Sequence, residues 1–153
     1  MLFQTIERLD GLVPIEQIFV ITNSEQRESV LETCPELLPE RVIGEPVGRD
    51  TAAAVGLAAL LVEKEGGDSA FALLPADHVI EDAEGFQSVL SAAFEAAEAD
   101  DTLVTVGIKP SFPSTGYGYL QCGELVEGDV SRPVMKVERF VEKPNLEKAK
   151  QYM

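Results

Sequence analysis

Apolar and polar positions along this chain follow two periods, and the switches between them mark the elements. Leu2, Ile6 and Leu9 recur at helical spacing over residues 1–10, and Gly11 with Pro14 beyond it closes that helix. Residues 17–21, Gln-Ile-Phe-Val-Ile, are a short β-branched run that predicts a buried strand. Asn23, with Gln26 three positions on, has the pattern of a capping box. The helix it opens runs to about Cys34 and stops before Pro35. Residues 41–44 predict a second strand, and 50–65 a long Ala/Leu-rich helix closed by Gly66-Gly67. A third strand over 69–74, an amphipathic helix over 84–99 and a fourth strand over 102–107 complete the alternation. Strands joined through helices imply parallel neighbours and right-handed crossovers.

After Gly107 the pattern changes. Residues 109–118 are rich in Pro, Gly and Ser and read as a loop. Two further strands, 117–125 and 133–140, have only a polar turn between them, so they should pair antiparallel. A last helix begins at Leu146. The whole predicts one α/β domain over residues 1–153, a three-layer α/β/α arrangement around a mixed, mostly parallel sheet.

Composition narrows the partners. The 153 residues are 45% hydrophobic and 25% charged, the balance of a folded domain. Twelve Lys and Arg against 27 Asp and Glu give a net charge of −15, which disfavours nucleic acid and anionic membrane as partners. An anionic substrate would then need a metal ion or a few well-placed cations. Cys34, Cys122 and the single His78 make neither a disulfide framework nor a zinc site, and they read as reduced thiols of a cytoplasmic protein. The first residues lack the basic and apolar regions of a signal peptide. The longest apolar stretch, 51–62, would span about 18 Å as a helix against the roughly 30 Å of a bilayer core, and it reads as a buried helix.

In open parallel sheets, ligands bind beyond the carboxyl ends of the strands, so the residues after each strand carry the chemistry. After the second strand come Glu45-Pro46-Val47-Gly48-Arg49-Asp50-Thr51. As structure alone this is a turn with Asp50 or Thr51 capping the helix. As a site, Glu45 could accept the two neighbouring N–H donors of guanine's Watson–Crick edge. Arg49 and the helix start could serve a phosphate or a base oxygen. After the third strand, Leu74-Pro75-Ala76-Asp77-His78 places Asp77 at a strand end. It is either a turn residue or a hard oxygen ligand for Mg²⁺. In the loop Thr115-Gly116-Tyr117-Gly118-Tyr119, the glycines permit close approach of backbone to a ligand. Phe140-Val141-Glu142-Lys143-Pro144 ends a strand with a carboxylate and an ammonium. Neighbours on a strand face opposite ways, so both can meet one sugar phosphate only if the chain bends there.

Taken together and in this order, these four motifs resemble the sugar-nucleotidyltransferases, and among them the mannose-1-phosphate guanylyltransferase branch. The Pro-Ala-Asp-His and Val-Glu-Lys-Pro elements occur more widely among sugar-nucleotidyltransferases. The Glu-Pro-x-Gly-Arg stretch leans to the guanylyl branch. The resemblance implies a nucleotide-diphospho-sugar transferase fold of the glycosyltransferase-A type. It implies GTP and mannose 1-phosphate as substrates, GDP-mannose and pyrophosphate as products, and Mg²⁺ as cofactor. It places Glu45, Arg49, Asp50 and Thr51 by the nucleotide and Asp77 on the metal. Gly116, Tyr117 and Gly118 would line the sugar, with Glu142 on its hydroxyls and Lys143 on its phosphate. Asp77 and Lys143 would be the catalytic pair. Asp50 stands where many members have Asn, and Ala53 where many have Pro.

Nothing in the sequence matches the Gly-rich triphosphate cradle with which the family opens, or its second metal-binding Asp. The expectation is an incomplete catalytic domain that does not turn over alone. The resemblance leaves room for a homo-oligomer. Two alternatives stay open: a sugar-1-phosphate nucleotidyltransferase for another base, or a non-catalytic homologue that binds a nucleotide sugar.

Overall fold

The computed structural model describes residues 1–67, 69–100, 102–127 and 132–153. The chain divides into two compact units, Met1–Phe94 and Glu95–Met153.

The first unit opens with helix α1 (Leu2–Glu7), continued by turns to residue 12. A 3₁₀ turn at Ile15–Gln17 leads into strand β1 (Val20–Asn23). Helix α2 (Arg27–Thr33) follows, then strand β2 (Val42–Glu45), helix α3 (Asp50–Lys64) and helix α4 (Ala83–Asp100), which runs on into the second unit. Strands β1 and β2 pair in parallel, Val20 opposite Val42 and Asn23 opposite Glu45. This is the α/β crossover that the alternation of periods implied. The Asn23 side chain accepts a hydrogen bond from the Gln26 N–H at 2.8 Å, but Asn23 ends β1 and does not cap the helix, contrary to the capping-box expectation. The helix starts three residues further on, with Gln26 at its N-cap, and the Gln26 side chain accepts from the Thr22 hydroxyl at 3.2 Å. Gly66, at φ +89°, takes the left-handed position that ends α3.

The core of this unit gathers Ile6, Val20, Val30, Cys34, Leu37 and Val42, with Leu2, Ile15, Ile18 and Leu31 packed around them. Cys34 is wholly enclosed there, and burial, with Glu36 nearby, pushes its thiol pKa up. Cys122 is exposed. A thiol reagent should therefore label Cys122 alone in the native protein and both cysteines in denaturant. Rapid labelling of both under native conditions would contradict the packing of Cys34. Because the unfolded chain gives up the Cys34 proton first, its contribution to stability should fall as pH rises past the ordinary thiol range.

The second unit is built on an antiparallel hairpin, β3 (Tyr119–Glu127) with β4 (Val134–Val141), as the sequence indicated. Tyr119 faces Val141 and Gln121 faces Arg139, after which the register shifts through bulges. Helix α5 (Leu146–Gln151) is capped by Asn145, whose side chain accepts from the Lys148 N–H at 3.0 Å. Pro144 before it and Ala149 within it are buried.

Two expectations need correction. Residues 69–74 and 102–107 join no ladder among the described residues, so the sheets are two pairs of strands rather than one. A β-branched run states what a segment could bury, whereas a strand also needs a neighbour offering N–H and C=O groups in register. Without one, Phe71, Leu73 and Val106 stay exposed, and Leu103 entirely so. Helix α3 is likewise not buried: among its described residues only Ala58 is enclosed, and Leu60 is 64% exposed. Its apolar composition gave its capacity for burial, not a partner. No helix among the described residues is long and apolar enough to cross a membrane.

Candidate active site

Glu45 is the last residue of β2, and its position is fixed through its backbone. Its carbonyl accepts two hydrogen bonds from Ser24, one from the N–H at 3.0 Å and one from Oγ at 2.9 Å. Gly44 makes this approach possible, since a Cβ there would lie 2.9 Å from Ser24 Cα. Arg27 steadies the other end of β2, its Nε donating to the Val42 carbonyl at 2.9 Å and its Nη2 to the Pro39 carbonyl at 2.6 Å. The Glu45 side chain is half-buried and its carboxylate makes no hydrogen bond among the described residues.

Arg49 occupies the N-cap of α3, and no side chain caps that helix. Thr51 lies inside the first turn rather than at the cap, and it is exposed. The reading of Asp50 or Thr51 as a cap is thus replaced by Arg49 at that position; the side chain of Asp50 lies outside the described residues. Among the described residues no side chain accepts from the first-turn N–H groups of this 15-residue helix, and an exposed guanidinium lies beside them.

Asp77 sits in a turn formed with Ala76, after Pro75, and is exposed. The carbonyl of the next residue, His78, accepts from Arg8 Nη2 at 3.3 Å. Among the described residues no group of three or more acidic, His or Cys side chains gathers that could enclose a metal. A single exposed carboxylate fits Mg²⁺ nonetheless, because that ion keeps several waters and takes one or two carboxylates plus substrate phosphates.

In the second unit, the hairpin brings Gly118 and Glu142 together. A Cβ on Gly118 would lie 3.0 Å from Glu142 Oε2 and 2.5 Å from the end of the Phe140 ring. The absence of a side chain at Gly118 is what lets the Glu142 carboxylate lie against that backbone. Tyr117 is 68% exposed, and Gly116 donates its N–H to Ser114 Oγ at 3.1 Å. The Tyr119 hydroxyl ties the loop down by donating to the Ser114 carbonyl at 2.9 Å. Just past β4 the chain bends, as a shared ligand requires. Lys143 adopts φ +40°, the only positive φ outside glycine among the described residues, and its Nζ comes within 3.5 Å of Glu142 Oε1. That backbone is strained for a lysine. The two side chains are more than half exposed, so the ion pair itself adds little stability.

Glu45, Arg49, Thr51 and Asp77 therefore belong to the first unit, and Gly116, Tyr117, Gly118, Glu142 and Lys143 to the second. The sequence reading missed Ser24, Arg27 and Arg8, which hold these elements through backbone carbonyls. Such contacts leave no motif, because a carbonyl is common to every residue.

The model of the nucleotidyl transferase family matches residues 1–153, the whole chain. The chain belongs to the nucleotidyl transferase family. A mannose-1-phosphate guanylyltransferase of Escherichia coli strain K12 is 44% identical over 157 residues, covering all of this chain and 32% of that protein. One from Klebsiella pneumoniae is 43% identical with the same coverage. The xanthan biosynthesis protein XanB of Xanthomonas campestris is 43% identical over 88% of the chain. The chain thus spans about a third of the length of the curated relatives it matches. As a member of this family it has the α/β nucleotide-diphospho-sugar transferase fold expected of it, and the family's enzymes generally use a divalent metal.

Proposed function

We propose that the protein carrying this chain is a mannose-1-phosphate guanylyltransferase, which joins GTP and mannose 1-phosphate into GDP-mannose and pyrophosphate in the cytoplasm. The observation that carries the reading is the Glu45–Arg49 turn at the end of a parallel strand, in a chain 42–44% identical along its whole length to proteins of that name. In the reaction, a phosphate oxygen of the sugar attacks the α-phosphorus of GTP as the bond to the bridging oxygen of pyrophosphate breaks. No protein nucleophile is required. Glu45 accepts from the paired donors of guanine, while Arg49 and the start of α3 with Thr51 serve the nucleotide's anionic part; Asp50 is assigned to the nucleotide by the resemblance alone. Gly116, Tyr117 and Gly118 line the sugar, Glu142 holds its hydroxyls, and Lys143 neutralises its phosphate as the oxygen approaches phosphorus. Bound at Asp77, Mg²⁺ would supply charge neutralisation on the phosphates. In a background of −15, these few cations set where anions bind. We treat residues 1–153 as part of one catalytic domain that acts without membrane or nucleic acid.

The base assignment is tested by competition. The natural polypeptide containing these residues should prefer GTP over UTP and dTTP. Glu45→Gln should erode that preference by about 1.5–3 kcal/mol, or roughly 10- to 150-fold. Equal rates with UTP in the unaltered protein would instead favour a nucleotidyltransferase for another base. A polypeptide that binds GDP-mannose but releases no pyrophosphate from GTP and mannose 1-phosphate would be a non-catalytic homologue.

A further inference from the structure

Arg8 is a charged residue in an expensive place. It is only 7% exposed, and among the described residues no carboxylate lies within salt-bridge distance of it. Removing a guanidinium from water without a counter-ion costs stability, so an apolar residue would suit a purely structural position better. What Arg8 does have is a defined set of contacts. Its guanidinium carbon lies 5.5 Å from the centroid of the Phe86 ring, in range for a cation–π contact. Its Nη2 donates to the carbonyl of His78, 70 positions away in sequence. Its own carbonyl accepts from Gln87 Nε2 at 2.9 Å, and the same amide donates to the Asp10 carbonyl at 2.9 Å. The end of α1 is thereby fastened to the start of α4, and the guanidinium projects from that joint to the turn after Asp77. That turn has no ladder to hold it, and the Asp77 carboxylate makes no hydrogen bond or ion pair among the described residues.

We propose that Arg8 is a positioning residue for the Asp77 turn. Through the His78 carbonyl it fixes the backbone beside Asp77, so that the carboxylate is presented at a set distance from the α1–α4 joint. The consequence for metal binding rests on the reading of Asp77 as a metal ligand; the hold on the turn does not. Residues that orient a ligating group from behind typically change metal affinity or activity by about 10- to 100-fold when removed.

The test uses the natural polypeptide with Arg8→Met, Arg8→Lys and Asp77→Asn. Millisecond-to-second hydrogen exchange is followed by mass spectrometry on a peptide spanning residues 73–80, alongside urea unfolding and the Mg²⁺ dependence of the rate. Arg8→Met should leave global stability unchanged or raised, since it removes an unpaired buried charge. It should speed exchange in the turn at least threefold and raise the Mg²⁺ concentration for half-maximal rate about tenfold, with Arg8→Lys between it and the unaltered protein. If Arg8→Met does not fold, Arg8→Lys carries the same readouts. Unchanged exchange in the turn overturns the proposal, whatever the rates do. Faster exchange together with an Asp77→Asn variant whose Mg²⁺ dependence is unaltered upholds the role of Arg8 on the turn and removes Asp77 from the metal.

Discussion

Replacing Asp77 by Asn in the natural polypeptide should cost at least about 3 kcal/mol of transition-state stabilisation, or more than a hundredfold in rate. The carboxylate is exposed and makes no hydrogen bond or ion pair among the described residues, so its loss should remove little stability. Folding and stability should stay as they were. Asn keeps the size and the turn preference of Asp but offers a metal ion only a neutral oxygen. The rate should therefore recover partly as Mg²⁺ is raised, and a titration of rate against Mg²⁺ would show a curve displaced to higher concentration. An unchanged curve with an unchanged maximum would make Asp77 a turn residue and nothing more.

Lys143 should show stability and activity moving in opposite directions. At φ +40° a lysine is strained by about 1 kcal/mol relative to glycine. Lys143→Gly should relieve that strain and raise the unfolding midpoint by a few degrees. Lys143→Met keeps the strain and loses only the ammonium, so it should leave the midpoint near its original value. Both should lose about a hundredfold in kcat/KM, since each removes the positive charge proposed to meet the sugar phosphate. Initial rates and thermal unfolding on the pair of variants separate the two effects. A Lys143→Met protein with unaltered kcat/KM would place the phosphate elsewhere.

Elements whose partners are near in sequence are legible from the residues alone. Residues 117–125 and 133–140 predict the hairpin because a polar turn leaves them one way to pair, and the observed strands lie within two residues of that reading. Gly66 is legible because its role depends on its own short-range chemistry. The bend at Lys143 is legible only as a condition, that Glu142 and Lys143 could share a ligand if the chain turned, and the positive φ meets it. The segments 69–74 and 102–107 mislead because pairing is a property of two segments, and a sequence displays them one at a time. Arg8 escapes for a related reason. A lone arginine on a helix of mixed composition reads as surface, and its burial depends on Phe86, Gln87 and His78, far along the chain.

The two ladders share a feature with a kinetic consequence. Val20 and Val42 are 22 positions apart, and so are Tyr119 and Val141, the widest pair of the hairpin. Closing such loops is cheap, and shortening one from 22 positions to the 7 between Glu127 and Val134 saves only about 1 kcal/mol of chain entropy. Short sequence separation favours fast pairing, more for the antiparallel hairpin than for the parallel β1–β2 pair. During synthesis, the strand that presents Glu45 can be paired before α4 has left the ribosome, and the hairpin that presents Glu142 can zip up as soon as β4 emerges. The two units would then be separate folding events, each complete in outline before the other is needed.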